Sequence, residues 1–166
     1  MSDAETKILN IFSAVREDNS LPYENENFME FLIKPNGKNL DNSLKGKIYK
    51  NRFLERIQIE FCVCFPNDFF EKKWSLSNLA SYIEDRQKQG QVNLKMAEKR
   101  LKTAKRIDNI MIFANLFMFP PLIALHSIYF WLYFVLFCTL NAFLIYMKYN
   151  EVVFYRKLLN NINNIL

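Results

Sequence analysis

The sequence predicts a mainly α-helical membrane protein, a two-span transmembrane helical hairpin extended by cytosolic helices and preceded by a small cytosolic α+β domain. Three observations carry this. Residues 109–147 run thirty-nine positions without Asp, Glu, Lys or Arg. A hydrocarbon core of about 30 Å takes about 20 helical residues to cross, so the run is too long for one span and long enough for two joined tightly. Charge is also divided: residues 1–85 carry eleven Lys and Arg against fourteen Asp and Glu, whereas residues 86–166 carry eleven against three. Finally, Ile57, Ile59, Phe61, Val63 and Phe65 alternate with polar or small residues, the period of a strand with one buried face.

The chain accordingly divides into a cytosolic α+β domain at 1–85, a basic juxtamembrane helix at 86–107, the hairpin at 108–148 and a cytosolic tail helix at 149–166. Ser2 with Glu5 has capping-box spacing, and Ile8, Leu9, Phe12 and Val15 then recur at helical spacing until Asp18-Asn19-Ser20-Leu21-Pro22, which predicts a short first helix. Phe28, Met29, Phe31, Leu32 and Ile33 form a compact apolar run, helix or strand, stopped by Lys34-Pro35-Asn36-Gly37. Residues 38–47 are polar and read as loop. The strand at 57–65 needs a partner, which residues 47–53 or the run at Phe28 would supply. Ser75 is placed to cap a helix carrying Leu76, Leu79, Ala80, Tyr82 and Ile83.

From Gln91, Leu94, Ala97, Leu101 and Ala104 follow a three-four spacing with basic residues on the other faces. Neither Gly nor Pro interrupts 91–119, so this helix is expected to continue into the first span. After Lys148 the pattern Val152, Tyr155, Leu158, Leu159, Ile162 and Leu166 predicts that the second span runs on as the tail helix. The positive flanks place both termini on the cytoplasmic side of a multi-pass membrane protein. No basic apolar leader opens the sequence, so no cleaved signal peptide is expected.

Folding the charge-free run about residue 128 pairs Asp108 with Lys148 and Asn115 with Asn141 at equal depth. An unpaired amide is costly in hydrocarbon, so the asparagines either hydrogen-bond each other, within or between chains, or line a hydrated path. Asp108, Asn115, Asn141 and Lys148 are therefore the candidate polar residues for packing or a pore. Pro120 and Pro121 are candidates for a kink, since a turn there would leave the first arm too short to cross. Tyr129, Trp131 and Tyr133 suit one interface and Tyr146 and Tyr149 the other. Lys95, Lys99, Arg100, Lys102, Lys105 and Arg106 are candidate contacts for lipid headgroups or an anionic ligand.

The sequence points away from an enzyme. His126 is the single histidine and falls at the hairpin turn, away from the cytosolic residues that would complete a nucleophilic triad. Cys62 and Cys64 would share one face of the strand, but no further metal ligands lie nearby, and three cysteines make no disulfide framework. Gly37, Gly46 and Gly90 are the only glycines and form no phosphate loop. No cofactor or metal is expected, and the basic excess near the apolar run argues for membrane lipid rather than nucleic acid.

An amphipathic basic helix at 95–106, a two-span hairpin and a following helix at 152–166 resemble the SLATT class of small two-transmembrane effectors of bacterial antiphage conflict systems. The resemblance covers residues 91–166. It implies a self-associating membrane effector that acts when a cytosolic protein or a nucleotide signals infection. Independently, one hairpin cannot enclose a pore, so a membrane-permeabilising role requires a homo-oligomer. The alternative is an anchor or scaffold that tethers a soluble partner through residues 1–85.

Overall fold

The computed structural model describes residues 2–33, 43–66, 68–69, 72–106, 112, 115–116 and 128–165. In chain order these form α1 (Asp3–Val15), a 3-10 helix (Phe28–Leu32), α2 (Leu44–Phe61), α3 (Leu76–Gln87), α4 (Gly90–Ala104) and α5 (Ile128–Asn163). They divide into two compact units, one made of Met1–Ala97 with Lys157–Leu166, the other of Glu98–Arg156.

The first unit is a helical bundle with α1 packed against both α2 and α3. Ser2 caps α1 through a complete capping box, its hydroxyl accepting from the Glu5 N–H at 3.1 Å while Glu5 accepts from the Ser2 N–H at 2.8 Å. Ile8 and Phe12 point from this helix into the core. There Phe12, Phe28 and Phe53 meet edge to face, with centroids 5.4 to 6.2 Å apart. Ser43 caps α2 by accepting from the Gly46 N–H, and Ser75 caps α3 by accepting from the Asn78 N–H.

No β-strand occurs among the described residues, so the expected α+β domain is helical instead. The predicted strand at 57–65 is the last turn of α2 followed by a segment with no regular secondary structure. Phe53, Leu54, Ile57 and Phe61 are buried at a spacing of one, three and four residues, a helical stripe that contains two members of the supposed alternation. Ile59, which a strand would bury with them, is only half-buried. The proposed partner at 47–53 lies inside α2, and the run at Phe28 is the 3-10 helix.

Cys62 ends α2 in the left-handed conformation (φ 53°, ψ 43°), and the Val63 N–H donates back to the Gln58 carbonyl at 3.2 Å, a Schellman-type ending. The extended residues beyond it are held by side chains rather than by a neighbouring strand. The buried amide of Gln58 accepts from the Phe65 N–H at 3.0 Å, and that of Asn93, from α4, accepts from the Cys64 N–H at 3.3 Å. Phe65 then stacks on Phe69, and Phe69 on Trp74, with Tyr82 of α3 against all three.

The C-terminal end of α5 belongs to the same unit. Leu158 and Ile162 are buried, and the Asn161 amide reaches the Ile59 carbonyl of α2 at 3.5 Å. The expected continuity of the last apolar segment with a tail helix is present, since α5 is one helix of 36 residues.

The expected two-span hairpin is not supported. Among the described residues one helix, α5, is long and apolar enough to cross a membrane. Charge-free length and symmetry about residue 128 do not fix how many helices that length forms. Residues 107–111, 113–114 and 117–127, most of the expected first arm, lie outside the described residues. The juxtamembrane helix does not extend to residue 119 as one element either, because α4 ends at Ala104. There the Thr103 hydroxyl takes the Lys99 carbonyl at 3.0 Å and the winding tightens, with the Arg106 N–H donating to the Thr103 carbonyl.

Candidate functional site

The second unit is organised by α5, which carries no charged residue before Lys148. Trp131, Leu132, Val135, Leu136, Phe143, Ile145, Tyr146 and Met147 are all exposed. At 100° per residue these positions spread around the helix, so its exposed surface is apolar over more than one face. The core helix of a soluble protein would be mostly buried, whereas no part of the apolar window of α5 is buried. A chain with this helix has a segment suited to a membrane.

A narrower stripe on α5 is half-buried: Phe130, Tyr133, Phe137, Leu140, Asn141, Leu144 and Lys148 recur at three-four spacing. Asn141 sits within it. Its side-chain carbonyl accepts from the Asn115 amide at 2.9 Å, and its own amide donates to the Phe137 carbonyl at 3.0 Å. The Thr139 hydroxyl donates to the Val135 carbonyl at 2.7 Å. The polar side chains at 139 and 141 therefore have partners within the chain, which is what an apolar surrounding demands.

Of the other candidates, Lys148 forms an ion pair with Glu151 at 3.2 Å where the charge-free surface ends. Asp108, Pro120 and Pro121 lie outside the described residues, as does His126, so the pairing of Asp108 with Lys148 and the kink are not visible. Trp131 groups with Phe130 and Phe134 near the start of α5, while Tyr146 and Tyr149 are exposed near Lys148. Aromatic residues at both ends of an apolar stretch suit the two interfaces of a bilayer.

On α4 and just beyond it, Lys95, Lys99, Lys102, Lys105 and Arg106 are exposed, and Arg100 is half-buried and engaged. Lys99, Lys102 and Arg106 follow an i, i+3, i+7 spacing. The Lys105 N–H bond to the Leu101 carbonyl at 3.1 Å carries the winding past Ala104, so the three share one side.

No group of His, Cys, Asp or Glu able to hold a metal ion occurs among the described residues. Cys62 and Cys64 do not share a strand face: Cys62 caps α2, half-buried, and Cys64 lies buried beyond it. Burial, reinforced by the nearby Glu60 carboxylate, pushes the Cys62 thiol above its ordinary range, opposite to what a nucleophilic thiolate needs.

Sequence reasoning missed Gln58 and Asn93, the buried amides that fix the chain after α2. Asn93 had a signal: it lies one turn before Ala97, on the buried stripe of α4. No protein-family model, curated protein or solved structure matches this chain.

Proposed function

We propose that this chain is a homo-oligomeric effector of the bacterial inner membrane, embedded through the charge-free part of α5 and perturbing the bilayer when copies associate. The observation that carries the reading is the exposed apolar surface of α5 between Trp131 and Met147, which water would penalise and lipid would solvate. Lys148, Arg156 and Lys157 follow that surface, and this positive flank supports a cytoplasmic side for this end of α5. Cys138 and Thr139 are exposed small residues about one turn before Ala142, also exposed, where another helix can approach closely. What remains of the resemblance to the SLATT class, the basic helix at 95–106 and the helix that follows the apolar segment, is compatible with this reading, with the helical bundle as the part that would meet a cytosolic protein or a nucleotide signal.

One observation favours a plain membrane anchor instead. The Asn141 amide is bonded within the chain, so it is not held open to line a water path. Induction of the full chain in bacteria, with a potential-sensitive dye and a membrane-impermeant DNA stain, separates the two. An effector depolarises the cells. The variant Leu136→Arg, which sets a charge near the middle of the exposed face at a cost of about 3 kcal/mol, abolishes depolarisation. A wild-type chain that reaches the membrane fraction and leaves the potential unchanged would establish the anchor.

A further inference from the structure

The basic residues of this protein fall into two groups. In the helical bundle many are neutralised locally: Lys7 by Asp3 at 2.9 Å, Lys45 by Glu17 at 2.6 Å, Lys72 by Asp68 at 3.5 Å, Lys73 by Glu30 at 3.6 Å and Lys88 by Asp85 at 3.0 Å. Lys99, Lys102, Lys105 and Arg106, at the end of α4, are exposed and form no ion pair among the described residues. Glu98 is the only acid of α4, and it does not neutralise them although it stands four residues before Lys102. Four cations within eight residues, with no ion pair among the described residues, repel one another, and an anionic surface would relieve that repulsion.

Their place in the chain says which surface. Arg106 stands nine residues before Asn115, and Asn115 is bonded to Asn141 of α5 within the apolar stretch. Nine residues reach at most about 30 Å, and about 14 Å as helix. Asn141 in turn is seven residues, about 10 Å of helix, from Lys148, where charge resumes on α5. The cationic end of α4 is thereby tethered within reach of the border of the apolar surface, where lipid headgroups would lie.

We propose that Lys99, Lys102 and Arg106, with Lys105 beside them, bind the headgroup phosphates of anionic phospholipids and so select the lipids that surround α5. The proposal rests on the membrane embedding of α5 and deepens it. Arg106 can grip phosphate oxygens in a bidentate fork, while the lysines act as point charges free to follow a mobile headgroup. Each basic residue near a charged bilayer surface strengthens the association about fivefold, so the three on one side together give on the order of a hundredfold.

The test uses the full chain reconstituted in phosphatidylcholine vesicles containing phosphatidylglycerol, with a spin label on one lipid or the other, reading the motionally restricted lipid at the protein surface. The wild-type protein enriches phosphatidylglycerol over phosphatidylcholine, and the enrichment weakens as salt is raised. The triple variant K99Q/K102Q/R106Q loses it, whereas K72Q/K73Q, which removes two paired lysines of the bundle, keeps it. Circular dichroism confirms that both variants are folded. Equal restriction of the two lipids by wild-type protein, or enrichment that survives in the triple variant, overturns the proposal. So does displacement of the labelled lipid by inorganic phosphate or a short RNA at constant ionic strength, which would assign the face to a soluble polyanion. Failure to float with vesicles of phosphatidylcholine alone would overturn the embedding itself, a result distinct from embedding without lipid selection.

Discussion

Replacing Leu158 by alanine should free the C-terminal end of α5 from the helical bundle without unfolding the bundle. Leu158 is fully buried and Ile162, one turn on, is 2% exposed, while Asn160 between them is exposed. Truncating a buried leucine to alanine costs about 2 to 5 kcal/mol, depending on how far the site collapses. The Asn161 contact to Ile59, at 3.5 Å a long hydrogen bond, adds little to the apolar contacts, so we take about 3 kcal/mol. At 1.4 kcal/mol per decade, local opening of the tail becomes about a hundredfold more populated. Hydrogen exchange on the full chain in lipid nanodiscs reads this directly. Amides at 158–162 should lose about two decades of protection in Leu158→Ala and stay within a factor of about two in Asn160→Ala. Trypsin cleavage after Arg156 and Lys157, both exposed, should accelerate in parallel. Equal protection in the two variants would show that the tail is not docked and that the burial of Leu158 does not hold it.

Two further outcomes follow from the same geometry. Because the Asn141 carbonyl accepts from Asn115 at 2.9 Å, Asn141→Leu leaves an amide to find a new partner in an apolar setting, costing about 1 kcal/mol; the double variant N115L/N141L should cost less than the sum of the two single changes, as detergent unfolding would report. The Cys62 thiol, held above its ordinary value of 9.0, should alkylate slowly at neutral pH and gain rate only above that value. The folded chain holds this proton more tightly than the unfolded one, so the associated stability is complete below the unfolded thiol's pKa and is lost as pH rises through the raised folded value; a mass-resolved alkylation rate against pH checks the shift.

Local chemistry was legible in the sequence where one residue sets one conformation. Ser2 with Glu5 and Ser75 announced the starts of α1 and α3, since a side chain capping a free N–H acts within a single turn. The Ser43 cap was hidden because it sits inside a polar run that read as loop. The error at 57–65 came from where the window opened. Begun at Ile57, the pattern alternates; begun at Phe53, it is a helical stripe closed by a left-handed Cys62, a conformation that no rule for cysteine announces. The extended residues after Cys62 depend on Gln58 and Asn93, and the Asn93 bond to Cys64 joins positions twenty-nine residues apart. The apolar run was plain from composition, and Asn141 stood out as polar within it. The Asn141 bond to Asn115 had its signal in the equal depth of the two asparagines about residue 128, whereas the ion pair that Lys45 makes with Glu17, and that Lys99, Lys102, Lys105 and Arg106 do not make among the described residues, depends on the fold and not on any single stretch of sequence.

The central claim, that the charge-free part of α5 lies in lipid, is tested most directly at Cys138. This residue is exposed on α5, ten positions from Ile128 and ten from Lys148, hence about 15 Å of helix from either end, the middle of a hydrocarbon core about 30 Å thick. In a C62S/C64S variant, where Cys138 is the single thiol, a charged membrane-impermeant maleimide is applied to sealed vesicles and then to the same sample in denaturing detergent. Embedding predicts no labelling in the vesicles and full labelling after denaturation, because the charged reagent cannot enter hydrocarbon. Prompt labelling in the intact vesicles would place the most apolar helix of this protein in water and contradict the account.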